Sequence, residues 1–324
     1  MRKFFILLFV LKFLLISCNN APKTAKNYVI TTSKPLPKVN NLPQVVATTS
    51  ILCDLTKQIA AKTINLICII PHDTDSRTYK PTPENSQVIR SAKLILYHGY
   101  NLEKDLISLI KTSKTSGLKI AVGEMAVPKP LLVQQGNKKN VNPYLWHYVP
   151  NAAKMATLIT NNLKKIAPEN TTLYSNNNKK LQSELTQLDK WIKSRIASLP
   201  PNQRTFVSNY DNLSYYTKAY KLNYQTLLTN RNRQQELSKA ELDRLIKNIQ
   251  NTKVSTIFLS RKINPKLINS ISNKAQVRNS ERQIMPDSLT LDAEGNTYQK
   301  FMVANTRTIV EGLGGTYLIF RPIK

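Results

Sequence analysis

A polar-rich segment in the middle of the chain limits its architecture more than any other feature. Between Pro168 and the paired Pro200-Pro201, the apolar residues Leu181, Leu185, Leu188, Ile192 and Ile196 recur at steps of three and four, so they line one face of a helix. About thirty residues at the standard rise make a rod of about 45 Å, stopped by prolines that lack the amide hydrogen a helix needs. A periodic stretch of this length also fits a coiled coil, but the mixed spacing and the flanks favour a rigid tie between two halves. Ahead of it, the β-branched runs Val45-Val46-Ala47-Thr48-Thr49 and Ile64-Asn65-Leu66-Ile67-Cys68-Ile69-Ile70, with further strands at 94–97 and 119–122, alternate with helical stretches at 52–61, 84–91 and 102–112. Behind it, strands at 205–207, 224–227, 255–259 and 283–285 alternate with helices at 212–220, 239–251 and 265–274. Such alternation produces parallel sheets. The sequence therefore predicts an α/β protein of two parallel-sheet lobes, 44–167 and 201–324, joined by one long interlobe helix at 168–200. Ser238 and Glu241 stand at capping-box spacing, which predicts a helix start there.

The first seventeen residues are of another kind. Arg2 and Lys3 precede an apolar run at 4–16 broken only by Lys12, and small Ser17 stands directly before Cys18, the pattern of a signal peptide. Leu15-Ile16-Ser17-Cys18 fits the bacterial lipobox, in which the cysteine thiol is lipidated and becomes the mature N-terminus. The run falls short of the roughly 20 residues that cross a bilayer. The expectation is an extracytoplasmic or periplasmic protein held on a bacterial membrane by a lipid on Cys18. Residues 18–43 carry four prolines and no hydrophobic periodicity and read as a flexible tether. Cys53 and Cys68 then remain in a compartment that permits disulfides. Their spacing leaves a disulfide and two buried thiols equally open.

The formal charge is +28; without Arg2, Lys3 and Lys12 the chain keeps 44 basic and 19 acidic residues, +25. So basic a balance ordinarily points to nucleic acid. Export and the even spread of the lysines, with no dense run interleaved with aromatics, argue for no nucleic-acid partner. An anionic membrane surface or an acidic partner is the expectation instead. No G-x-S-x-G elbow, G-x-x-x-x-G-K-[ST] loop or H-E-x-x-H helix occurs, so nothing activates a nucleophile or cradles a phosphate, and the chain reads as a binding protein and not an enzyme.

Four short segments carry the candidate chemistry: Thr74-Asp75-Ser76-Arg77-Thr78-Tyr79-Lys80-Pro81-Thr82-Pro83, Asn142-Pro143-Tyr144-Leu145-Trp146, Ser208-Asn209-Tyr210-Asp211 leading to Tyr215, and Pro286-Asp287-Ser288-Leu289. In order and context they resemble the substrate-binding lipoproteins of zinc and manganese ABC importers, bacterial solute-binding family 9, whose corresponding segments read D-P-H-x-Y, D-P-H-x-W, H-D-A-F-x-Y and D-S-L. Leu96-Tyr97-His98-Gly99-Tyr100-Asn101-Leu102-Glu103 and Glu236-Leu237-Ser238 also match that family's pattern, and the resemblance runs from about residue 44 to 315. It implies two lobes tied by a single long helix, a monomer, and ABC permease and ATPase subunits as partners. Its cargo would be a metal ion, with zinc, manganese and iron as candidates. Only Asp287 keeps a family ligand. Arg77, Tyr144 and Tyr210 stand where the family usually carries histidines, or in some members a glutamate at the third site.

Those substitutions change the chemistry. Zinc and manganese need lone pairs from imidazole or carboxylate. Arginine supplies none because its guanidinium stays protonated, and its charge repels a cation. A phenol near pKa 10 gives up its proton only to a strongly acidic ion. Three readings stand. His72, His98 and His147, with Asp75 and Asp287, take over a divalent site. Alternatively, Tyr144, Tyr210 and Asp287 bind a hard trivalent ion while Arg77 anchors an accompanying anion. In the third reading the scaffold has lost its metal site and binds an organic or anionic ligand, or a protein partner as an adhesin would, through Arg77 and an aromatic lining of Tyr144, Trp146, Tyr148, Tyr210, Tyr215 and Tyr216; the alternative for each of these aromatics is ordinary interlobe packing.

Overall fold

The computed structural model describes residues 42–135, 138–208, 211–226, 238–252, 254–258, 264–285 and 287–323. In the first half, β1 (Gln44–Ala47), α1 (Ser50–Ala60), β2 (Asn65–Cys68), α2 (Pro83–Ser91), β3 (Leu94–Tyr97), α3 (Lys104–Thr112) and β4 (Leu118–Ala121) follow in strict alternation. The four strands pair in parallel in the order β2-β1-β3-β4. Because side chains alternate along a strand, the central pair feeds two cores at once. Val45, Ala47, Leu94 and Leu96 face α1 and the long helix, whereas Val46 and Ile95 face Ile89 and Ala92 at α2 and Leu106 and Ile110 of α3. Cys53 of α1 and Cys68 of β2 form a disulfide with Cα atoms 5.7 Å apart, which settles a pairing that spacing left open. The half continues with α4 (Val122–Ala126), an antiparallel hairpin of β5 (Leu132–Gln135) and β6 (Lys138–Val141), and α5 (Val149–Ile166).

The predicted long helix is α6 (Thr171–Ala197), 27 residues preceded by a 3-10 turn at Pro168–Asn170. Its buried stripe holds all five residues of the sequence pattern, with Tyr174 and Asp189 added. The stripe packs α6 against α1 and α5 on one side and α10 (Tyr298–Gly312) on the other.

The second half contains β7 (Thr205–Ser208), α7 (Ser214–Ala219), β8 (Asn223–Thr226), α8 (Lys239–Thr252), β9 (Thr256–Ile257), α9 (Pro265–Ala275) and β10 (Arg278–Asn279) ahead of α10. β7 pairs with β8 and β9 with β10, both in parallel, and a bridge from Ser208 to Phe258 links the pairs. The capping box at the start of α8 forms as expected, with the Ser238 amide donating to Glu241 Oε2 at 2.9 Å. The strand expected at 283–285 does not form a ladder. Asn305 of α10 takes both backbone groups of Met285, receiving its amide at 2.9 Å and donating to its carbonyl at 2.8 Å, so Ile284 makes only a single bridge. Among the described residues no helix is long and apolar enough to cross a membrane.

Candidate functional site

The loop that follows β2 docks on the segment after Pro286. The Asp73 amide donates to the Leu289 carbonyl at 2.9 Å, and the Leu289 amide donates to Ser50 Oγ at 3.0 Å. These bonds draw two segments more than two hundred residues apart in sequence to one place. On the loop, Asp75 turns back toward Arg77. Its Oδ1 accepts from the Arg77 amide at 3.1 Å and from Nε at 3.2 Å, and its Oδ2 accepts from Nη2 at 2.9 Å. The guanidinium carbon lies 5.9 Å from the centre of the Tyr144 ring. Burial alone would lower the pKa of Arg77, but attraction to Tyr144, Asp75 and Asp287 raises it above its ordinary value.

Tyr144 is buried and enters a 3-10 turn at Leu145–His147, its amide donating to Asn142 Oδ1 at 3.0 Å. Its ring meets Trp146 edge-on at 5.5 Å. Asp287, also buried, comes from the second half and accepts from Asn212 Nδ2 at 2.7 Å. The structure thus brings Arg77, Asp75 and Tyr144 together, with Asp287 among the charges that act on Arg77. Tyr210 lies outside the described residues, as does Cys18. Asn212 and Asn142 are the positioning residues that the sequence did not reveal. Each is an ordinary amide in its own segment, and only the long-range or turn contact shows its task.

The three histidines sit differently. His98 is fully buried, its Nε2 2.6 Å from the Pro143 carbonyl and its ring edge-on to Trp146 at 5.1 Å; burial lowers its pKa to about 4. Its Nδ1 has no hydrogen-bond partner among the described residues. His147 is equally buried, with Trp146 and Phe301 each 5.6 Å from its ring. His72 lies on the loop within electrostatic reach of Asp54. Among the described residues no three His, Cys, Asp or Glu side chains gather as a metal-holding group, so the structure does not assemble His72, His98, His147 and Asp75 into one. Arg77 as an anion anchor also meets an obstacle, because Asp75 already occupies the Nε and Nη2 side of its fork.

The surrounding aromatics act largely as packing. Trp146 and Tyr216 are fully buried, the Tyr216 hydroxyl donates to Thr306 Oγ1 at 2.9 Å, and Tyr215 accepts from the Leu131 amide at 2.6 Å. Behind the site, Glu103 accepts from the His98 amide at 2.6 Å and from Thr48 Oγ1 at 2.8 Å. Those bonds fix the loop after β3, where Gly99 takes a φ of +88° that favours glycine.

Comparison with known proteins matches residues 45–312 to the family model described as zinc-uptake complex component A, periplasmic (ZnuA). The metal ABC transporter substrate-binding lipoprotein SsaB of Streptococcus sanguinis is 29% identical over 277 residues, 83% of this chain and 89% of that protein. The manganese ABC transporter substrate-binding lipoprotein PsaA of Streptococcus anginosus is 28% identical over the same shares of each chain. Among solved structures, the periplasmic zinc-binding protein TroA of Treponema pallidum superposes with a TM-score of 0.75 at 24% identity, covering 84% of this chain and 99% of that one. Fe(III)-bound YtgA of Chlamydia trachomatis gives a TM-score of 0.75 at 19% identity, covering 86% and 100%.

Proposed function

The chain belongs to the periplasmic zinc-uptake component A family, and from that membership we propose that it is the extracytoplasmic solute-binding component of an ABC importer, with a metal ion as its cargo. It carries its ligand and does no chemistry on it. The match of the family model to residues 45–312 is the observation that supports this reading most. The site is consistent with it, since the loop that carries Asp75 is hydrogen-bonded through Asp73 to Leu289 and Leu291, beside Asp287 in the other half. Relatives named for metal and manganese transport point the same way. Zinc, manganese and iron are the candidate ions.

Asp287 is the ligand this reading leans on most, because it is an ionisable oxygen donor, buried, and oriented by Asn212. Tyr144 and Tyr210 are the further proposed donors. Elemental analysis of protein purified without chelator, followed by calorimetric titration with zinc, manganese, ferrous and ferric salts, tests the cargo. One ion should bind stoichiometrically, and Asp287→Ala should abolish that binding. Failure of every salt to bind would remove the metal reading and leave the cleft to a non-metal ligand or protein partner.

The role also requires permease and ATPase subunits as partners and a hold on the membrane. We place that hold on a lipid at Cys18. Cys18→Ser should end fatty-acid labelling and release the protein from the membrane fraction; unchanged labelling would exclude the anchor.

A further inference from the structure

Arg77 is the one member of the cleft group with no lone pair to offer a metal. It can still do the other thing a bound cation does, which is to neutralise carboxylates. Its fork closes on Asp75 through two side-chain contacts of 3.2 and 2.9 Å. The pair lies beside the Tyr144 ring, whose centre is 5.9 Å from the guanidinium carbon. We infer that Arg77 is a built-in cation of the site: in the metal-free protein its guanidinium neutralises Asp75, and a cargo cation reaches that carboxylate only by displacing it. This rests on the reading that the cargo is a metal ion.

Two physical points support displacement over coexistence. A guanidinium and a divalent ion a few ångströms apart repel even when the medium is polarisable, and Asp75 cannot give the same lone pairs to both. The exposure pattern also supplies a way out. The Arg77 side chain is 41% exposed whereas that of Asp75 is 11% exposed, so the arginine has more open surface to move into than the carboxylate that holds it. An arginine side chain of this kind lets the metal-free cleft keep its arrangement without cargo, and it holds the affinity for cargo below what the carboxylates alone would give.

The test is to titrate zinc and manganese into the wild type, Arg77→Gln and Arg77→Lys, and to record thermal unfolding of each metal-free protein. Arg77→Gln should bind the ion roughly tenfold or more tightly, since a repelling charge is gone, while its metal-free form melts below the wild type. A merely structural arginine would lower the melting temperature and leave metal affinity where it was. Arg77→Lys keeps the charge and should bind metal about as the wild type does. If Arg77→Gln does not fold, the double variant Asp75→Asn with Arg77→Gln removes both members of the pair and should still bind more tightly than Asp75→Asn alone. Equal or weaker binding by the folded variant, with the wild type binding normally, overturns the inference and leaves the metal reading intact. No binding by any of these proteins overturns both.

Discussion

The two halves of this molecule hold the cleft in different ways. The first is a four-stranded parallel sheet covered on both faces, with β1 and β3 buried almost throughout and a disulfide tying α1 to β2. Among the described residues the second has its strands in two pairs, one of them only two residues long, and its own cluster is small, with Val207, Leu245, Ile246, Ile249, Ile257, Ile268, Ile271 and Ala275 packed around α8 and α9. The larger side chains of the second half, Phe206, Tyr216, Phe258, Tyr298 and Phe301, belong instead to the same core as Val45, Leu94 and the α6 stripe. The wall that carries Asp287 is thus fixed by α6 and α10 more than by its own sheet. The Tyr298 hydroxyl donates to the Trp146 carbonyl at 2.7 Å and its amide to Asp54 Oδ2 at 2.8 Å, pinning α10 directly to the first half. A site built this way has a sheet covered on both faces on one side and, on the other, elements packed on the same central helix.

The largest effect should come from breaking that helix. Leu188 is fully buried in the middle of the α6 stripe. Leu188→Pro removes a backbone hydrogen bond and a core side chain, at a cost of roughly 3 kcal/mol or more. Calorimetry should show both halves losing stability together. A variant in which one half kept its wild-type transition would show that the halves do not depend on a common core. The disulfide sharpens the contrast from the other side. Its cysteines are 15 residues apart, so replacing both with alanine should cost about 3 kcal/mol. The loss should appear as faster hydrogen exchange in α1 and β2, with metal affinity little changed because neither residue faces the cleft group.

Much of this was legible in the sequence, for reasons that differ by region. The first sheet was readable because its strands are β-branched runs buried on both faces, and α6 because five apolar residues keep one stripe. α5 carries a similar signal in Ala152, Met155, Ala156, Ile159 and Leu163, but threonines and asparagines between them thin it, and it was not anticipated. α10 is harder still. Its buried face includes Asn305, Thr306 and Thr308, polar residues whose partners lie far away in sequence. The same long-range bonding explains the failed strand at 283–285, since a side chain, Asn305, satisfies the backbone that a neighbouring strand would otherwise have met. At the site, the four segments were recognisable and Asp287 stood out among them. The closure of Arg77 on Asp75, the support of Asp287 by Asn212 and the burial of His98 and His147 were not, because each is a matter of direction, and sequence order fixes proximity only along the chain.

The smallest expected effect in the unaltered protein concerns the floor of the cleft, where two buried titratable groups offset each other. Burial holds the His98 imidazole down at about 4, against an ordinary 6.5. The unfolded chain therefore takes up that proton first, and the stability His98 contributes is present above pH 6.5 and lost as pH falls toward 4. Burial pushes the Glu103 carboxyl up to about 7 from 4.5, in keeping with an Oε2 that has no hydrogen-bond partner among the described residues. The folded state keeps that proton longer, so the contribution of Glu103 is present below pH 4.5 and lost as pH rises through 7. Between 4.5 and 6.5 the two slopes oppose each other, and for these two groups the wild-type curve should be nearly flat. Glu103→Gln keeps an acceptor for the His98 amide and Thr48 but removes the titration. Denaturant melts of that variant should gain on the order of 2 kcal/mol between about pH 4 and 6.5, the uncompensated imidazole term. A variant curve as flat as the wild type would mean that His98 is solvated or protonated in the folded protein, and that the floor of the cleft is less rigid than its packing against Trp146 implies.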